Sequence, residues 1–242
     1  MLRKETVNDA TLELLITLMN DQLLQDFFLV GGTALALQIG HRKSIDLDLF
    51  SQKTFDAEQL LAELESKYQF QLNYQARNTL KGNIEGVQVD LITHNYPLVS
   101  PLLNVEGVRM ASASDIAAMK LNAISGNGTR LKDFIDIAYL SSSITLAEMI
   151  ESFGEKYGSR NPVMLVKALD YHQDVDFQES IQMLGNSYNW KTVEKRLGEM
   201  TRHPQQLFPG LGEQKREKDF FRTKDKDRGK DNDLDQSQRI SI

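Results

Sequence analysis

Apolar side chains along the 242-residue chain recur with two periods, and the change between them organises the reading. Leu14, Leu15, Leu18 and Leu23 fall near helical spacing and predict a helix over 5–25. Phe27-Phe28-Leu29-Val30 is an apolar run of strand length that ends at a glycine pair. Thr33 to Ile39 gives one or two helical turns, stopped by Gly40, a residue favoured at helix ends. Residues 45–50 alternate apolar and acidic. That predicts a strand with Ile45, Leu47 and Leu49 toward a core and Asp46 and Asp48 on the other face. Asp56 is placed to cap a helix through about Tyr68, with Leu60, Leu61 and Leu64 on its buried side. Strand-like runs follow at 69–76, 86–92 and 105–110. From Ser114 the period turns helical, with Ser112 or Ser114 capping Asp115–Ile124. The SGNGT stretch breaks the chain before Leu131–Leu140, and further helical segments are expected at 145–157, 162–170, 176–185 and 190–200. A mixed first half and a helical second half predict an α+β protein with a core over 1–110 and a helical domain over 111–209.

Composition changes this picture at the C-terminal end. Residues 210–242 carry nine Lys/Arg and eight Asp/Glu with few apolar side chains, so they are expected to form a disordered tail dispensable for folding. A hydrophobic content of 40% is enough for a sizeable core elsewhere. No cysteine means no disulfide framework, no thiolate zinc site and no cysteine nucleophile, which fits a reducing cytoplasm. No apolar run reaches transmembrane length, so no membrane partner is expected. The net charge of −6 argues against a protein that coats nucleic acid generally. A nucleic-acid partner would need a local basic surface, for which Arg130, Lys132, Lys167, Lys191, Lys195 and Arg196 are the candidates.

The chemistry concentrates in LVGGTALALQIGHRKSIDLDLF, residues 29–50. Two carboxylates side by side on a strand repel each other unless a cation lies between them. Oxygen-only ligands suit Mg²⁺, which takes its remaining ligands from water and substrate phosphates. Gly31, Gly32 and Thr33 allow close backbone approach and place N–H groups at a helix start, where a phosphate can sit. Arg42 and Ser44, just before the acidic strand, are further candidates for contact with nucleotide phosphates.

An apolar residue, two small residues and then Asp-x-Asp on a strand resembles the signature of the DNA polymerase β-like nucleotidyltransferase superfamily. GGTALAL through HRKSIDLDLF, continued by DIAAMKLNAI and RLKDFIDIAYL, resembles the AbiEii/AbiGii toxin family of nucleotidyltransferases. The resemblance covers roughly residues 25–140. It implies a mixed-sheet nucleotidyltransferase core completed by helices. It also implies two Mg²⁺ ions held by Asp46, Asp48 and a third acid, Asp90 in VQVDLI, which would act as general base; Glu85 is the alternative. By pattern match, Lys120 and Asp133 would face the cleft toward the triphosphate, with Lys132 and Asp136 beside them. The activity implied is transfer of NMP from an NTP to an acceptor hydroxyl, with RNA, tRNA ends in particular, as acceptor. The biology implied is a type IV-like toxin–antitoxin, abortive-infection system with a separately encoded antitoxin.

Other features are weaker. SGNGTRLK lacks the ending of a phosphate loop and a preceding strand, and reads as an interhelical turn. The four histidines show no metal-ligand spacing. Two alternatives share the same motifs: a catalytically inactive nucleotide- or RNA-binding module, and a transferase acting on a protein or small molecule.

Overall fold

The computed structural model describes residues 1–158, 161–185 and 188–211. Residues 212–242, and with them nearly all of the expected charged tail, lie outside the described residues. The chain opens with a 3-10 turn at Lys4–Thr6, then α1 (Asp9–Asn20), a second 3-10 turn at Gln22–Leu24, β1 (Phe28–Leu29) and α2 (Gly31–Ile39). It continues through β2 (Leu47–Ser51), α3 (Ala57–Tyr68), β3 (Gln71–Ala76), β4 (Thr79–Ile84), β5 (Val87–Thr93), β6 (Leu103–Val105) and β7 (Val108–Met110). Five helices follow: α4 (Ala113–Gly126), α5 (Leu131–Leu140), α6 (Leu146–Tyr157), α7 (Pro162–Asp170) and α8 (Trp190–Arg202).

Side-chain caps set most of these boundaries. Asn8 accepts from the Thr11 amide at 2.7 Å and opens α1, while Asp21 accepts from the Leu23 amide at 3.0 Å. Short polar side chains compete with the helical backbone in this way, so the single helix expected over 5–25 is split into three pieces. Asp56 caps α3 as its sequence position suggested, accepting from Glu58 and Gln59. Ser112, not Ser114, caps α4. Thr145 and Glu148 form a reciprocal capping box on α6, and Pro162 starts α7 where its missing N–H costs nothing.

The seven strands form one mixed sheet in the order β3-β4-β5-β2-β1-β7-β6. β2 lies parallel to β5 and antiparallel to β1, and β1 is parallel to β7. Leu47, Leu49, Leu80, Val89 and Leu91 are buried on one face, where α3 contributes Leu60 and Leu64. Ile45 was expected to join them but is 59% exposed, because β2 begins only at Leu47. Behind the site, α2, α4 and α5 bring Leu35, Leu37, Leu121 and Phe134 into the same continuous core.

Three further departures from the sequence reading have physical causes. β4 was not among the expected strands, and it carries Gly82, a residue that weakens a strand interior. Here its missing side chain makes room for Phe70 and the Gln71 carbonyl, which a Cβ would strike. The expected strand at 105–110 is a hairpin, folded at Glu106 and Gly107, which both have positive φ. The expected helix at 176–185 is absent. Residues 182–184 instead run as an extended strap along His41–Lys43, with the Lys43 amide donating to the Gln182 carbonyl at 2.8 Å and the Leu184 amide to the His41 carbonyl at 3.0 Å.

Leu49 is fully buried on the central strand β2. Leu49→Ala is expected to destabilise the fold by about 2–5 kcal/mol through lost burial and a residual cavity, read as a drop in denaturation midpoint.

Candidate active site

Strand register builds the first half of the site. In the parallel β2–β5 pair, Asp48 stands directly opposite Asp90. Their neighbours Leu47, Leu49, Val89 and Leu91 all face the core, so alternation turns both carboxylates to the other face. Asp90 is buried at 5% exposure, while Asp48 is half-buried. Burial first, and then the neighbouring Asp90 carboxylate, push the Asp48 pKa up; Lys120 and Arg130 oppose the rise. Asp46 precedes the strand and is exposed, and its charge adds to the repulsion at Asp48.

The glycine turn lies against this pair. Gly31 has φ +69° and opens α2, and a Cβ there would overlap Asp48 Oδ2. Only glycine permits both the left-handed backbone and this close approach. A Cβ on Gly32 would come 2.5 Å from Arg42 Nη2. Thr33 Oγ1 donates to the Asp46 carbonyl at 2.5 Å and can accept from the Ser44 hydroxyl, 2.9 Å away, tying the turn to the loop before β2. The first-turn N–H groups of α2 have no intrahelical acceptor and sit where the macrodipole favours an anion.

Behind the turn is a closed cluster of buried charges. Arg42 grips Asp136 in bidentate fashion, Nε to Oδ1 at 2.7 Å and Nη2 to Oδ2 at 2.8 Å. His41 Nε2 lies 2.7 Å from Asp136 Oδ1, and Lys120 Nζ lies 2.5 Å from Asp133 Oδ1 and 2.8 Å from Asp136 Oδ2. Burial alone would raise the Asp136 pKa, but Lys120 and Arg42 outweigh it and hold the carboxyl well below the usual range. Burial likewise opposes the charge on Lys120, yet Asp136 and Asp133 raise its pKa. Burial pushes the His41 pKa below its ordinary value, although Asp136 opposes the shift. His41 Nδ1 is buried with no hydrogen-bond partner among the described residues.

The residues singled out in the sequence therefore fall into three settings. Asp48, Asp90, Gly31, Gly32 and Thr33 meet at the sheet face, with Ser44 beside the turn. Lys120, Asp133, Asp136 and Arg42 meet in the buried cluster; Arg42 is not an open loop cation, since Asp136 and the Lys43 carbonyl occupy its guanidinium. Lys132 points elsewhere and pairs with Glu179 at 3.0 Å. Glu85 sits exposed in the β4–β5 turn, away from the Asp48–Asp90 pair. Arg196, expected on an acceptor-facing basic surface, is buried and donates to Ser141 Oγ at 2.9 Å and the Pro209 carbonyl at 2.8 Å. Sequence reasoning missed Lys81, which reaches Asp90 from β4, because β4 itself went unread. It named Arg130 only for an acceptor surface, although this exposed residue acts on Asp48.

The donor set suits a hard divalent cation. Asp48 and Asp90 are adjacent carboxylates in mutual repulsion, flanked by a backbone turn suited to phosphate. Among the described residues no three acidic or histidine side chains form a ready-made cage. That is compatible with Mg²⁺, which is commonly held by one or two carboxylates plus water and substrate phosphates.

Comparison with known proteins agrees with this architecture. The chain matches the family described as "Nucleotidyl transferase AbiEii toxin, Type IV TA system" over residues 13–97 and 65–220. Protein aq_aa25 of Aquifex aeolicus (strain VF5) is 32% identical over 179 residues, 72% of this chain and 85% of that protein. MenT4, the nucleotidyltransferase toxin Rv2826c of Mycobacterium tuberculosis H37Rv, shares the fold with TM-score 0.54 at 14% identity, covering 82% of each chain. A candidate nucleotidyltransferase from H. pylori aligns with TM-score 0.50 at 21% identity, covering 81% of this chain and 94% of its own.

Two outcomes follow from the Asp136 cluster together with His94, a separate, half-buried ring packed against Tyr96 and Tyr157. Asp136→Asn leaves Arg42 and Lys120 buried with one carboxylate between them and is expected to cost about 3–5 kcal/mol of stability, checked by thermal and urea unfolding. Acidification should also destabilise the protein. His41 and His94 have folded pKa values depressed below 6.5, that of His94 to about 4, so their contribution is present above pH 6.5 and lost as pH falls. Asp136 adds a second loss below its unfolded value of 3.8, whereas the raised Asp48 pKa works in the opposite direction. His94→Phe should flatten the first part of this decline in a melting-temperature series against pH.

Proposed function

The chain belongs to the AbiEii family of nucleotidyltransferase toxins, and from that premise we propose that it moves NMP from an NTP to an acceptor hydroxyl in a Mg²⁺-dependent reaction. The acceptor is RNA, with tRNA ends the leading class. Asp46, Asp48 and Asp90 would hold the metal, and two Mg²⁺ ions, when bound, would neutralise triphosphate charge and stabilise developing oxyanions. The observation that carries this reading is the β2–β5 register, which sets Asp48 opposite Asp90 beneath the Gly31–Gly32 turn.

The chain's own residues then divide the work. The α2 N-terminus from Gly31 to Thr33 receives the β- and γ-phosphates through backbone N–H groups. Ser44 supports Thr33, and Arg42 buttresses Gly32 from below. Asp90 takes the proton from the acceptor hydroxyl, whose oxygen forms a bond to the α-phosphorus as the bond to the β-phosphate breaks and pyrophosphate leaves. Lys120, backed by Asp133 and Asp136, places positive charge behind Asp48 and toward the triphosphate. Lys132, in the first turn of α5 and paired with Glu179, would reach the nucleotide only by leaving that carboxylate. The same proposal divides the chain into a nucleotidyltransferase core through residue 110, a helical part through 209 and a dispensable tail over 210–242. It also includes a cytoplasmic setting, an antitoxin encoded separately and a role in abortive infection.

Incubating the purified protein with each radiolabelled NTP and total RNA, with Mg²⁺ or EDTA, is the direct test. Label is expected in RNA with Mg²⁺ and absent with EDTA. Asp48→Asn should reduce transfer at least about 100-fold, in line with loss of a metal-holding or charge-stabilising group, while the circular dichroism spectrum is retained. Full transfer by Asp48→Asn would sink the assignment.

A further inference from the structure

The sheet face that carries Asp48 and Asp90 carries a third charged residue in the same row. β4 and β5 are antiparallel with Lys81 directly opposite Asp90, and β5 in turn sets Asp90 opposite Asp48. Leu80, Ile84, Val89, Leu91, Leu47 and Leu49 are buried on the other side, so alternation presents Lys81, Asp90 and Asp48 as one line across three strands. Lys81 Nζ lies 2.5 Å from Asp90 Oδ2, and Gln88 Nε2 lies 3.3 Å from Oδ1. Both oxygens of the Asp90 carboxylate are thus engaged by donors from the protein itself.

The two lysines at the site differ in how they are held. Lys120 is buried and spans two buried carboxylates, and removing it from them would strand charge in the interior. The Lys81 side chain is 41% exposed and touches one carboxylate that is 7% exposed. An ion pair with so exposed a cation is weak in net terms, and an ammonium on a four-carbon stem can change partners without moving the backbone. A divalent ion bound at the pair would carry twice the charge and compete with the ammonium for Oδ2. Once released, the ammonium stands beside a site that then holds a polyanion.

We propose that Lys81 is an exchangeable positioning cation, which occupies Asp90 Oδ2 until a divalent metal takes that oxygen and then turns to the nucleotide triphosphate. The inference rests on the metal-dependent reading of this same site. Its consequence is that metal and nucleotide respond in opposite directions to loss of the lysine. Without its competitor the metal alone binds more tightly, and without its cation the nucleotide binds more weakly.

The test uses the full-length protein and two binding measurements, neither of which needs turnover. Mn²⁺ is titrated alone by calorimetry or water-proton relaxation, and then the α,β-methylene analogue of each NTP is titrated at saturating Mn²⁺. Lys81→Met, which keeps the apolar stem, is expected to bind Mn²⁺ about two- to fivefold more tightly and the analogue about tenfold more weakly. Lys81→Arg, which keeps the charge, should retain most analogue binding and guards against a folding defect in the first variant. Unchanged Mn²⁺ affinity in Lys81→Met, or unchanged analogue affinity, overturns the exchange. Asp48→Asn separates the two levels of argument. If it binds Mn²⁺ as the wild type does, the metal site itself is wrong; if it loses Mn²⁺ while Lys81→Met behaves as wild type, only the role of Lys81 falls.

Discussion

The buried carboxylate of Asp136 is the constraint on which the site depends. It carries a negative charge with no exposure and is held by Arg42, His41 and Lys120 at 2.7–2.8 Å. Burying one ion costs several kcal/mol, so such a group persists only with good geometry and full partnering. The partners come from different parts of the chain: His41 and Arg42 from the loop after α2, Lys120 from α4, and Asp136 from α5. One ion cluster therefore fixes that loop against the helical half. Since Arg42 abuts Gly32 and Ser44 meets Thr33, the position of the glycine turn is set by a charge it does not touch.

A second constraint, the sheet register, fixes what faces that turn. The parallel pairing of β2 with β5 brings Asp48 and Asp90 together, and the antiparallel pairing of β4 with β5 adds Lys81. The site therefore contains two kinds of charge. Those around Asp136 are closed on one another and rigid. Those on the sheet face are incompletely balanced, as the raised Asp48 pKa records. Interior charges with complete partners hold geometry, whereas partly exposed ones with incomplete partners can respond to a ligand.

Much of this was legible in the chain because it is local. Period-2 alternation placed Leu47 and Leu49 on one face and Asp48 on the other. Helical spacing gave α3, α5, α6 and α8 with nearly correct limits, and Asp56 and Gly40 marked helix ends. The resemblance to the AbiEii family rests on contiguous words such as GGTALAL and the alternation in SIDLDLF, which a linear reading can find. The failures are equally specific. β4, and with it Lys81, went unread, and the reason that its Gly82 is glycine is Phe70, twelve residues away. Residues 176–185 read as a helix, but the backbone of His41–Lys43 supplies the partners for an extended strap at 182–184. Arg42 and Arg196 looked like surface cations because a sequence does not show which charges are buried together.

The sequence by itself determined most of the helices, the central strands, the fold class, the family and the short list of acidic and glycine residues, since propensity, periodicity and capping act over a few neighbouring positions. Only the tertiary structure decided which charges are closed and which are open. That choice is made by contacts between segments some 13 to 95 residues apart, Lys120 with Asp133 at one extreme and His41 with Asp136 at the other. Burial in a shared interior changes the electrostatic cost of each charge, and no local pattern records that cost.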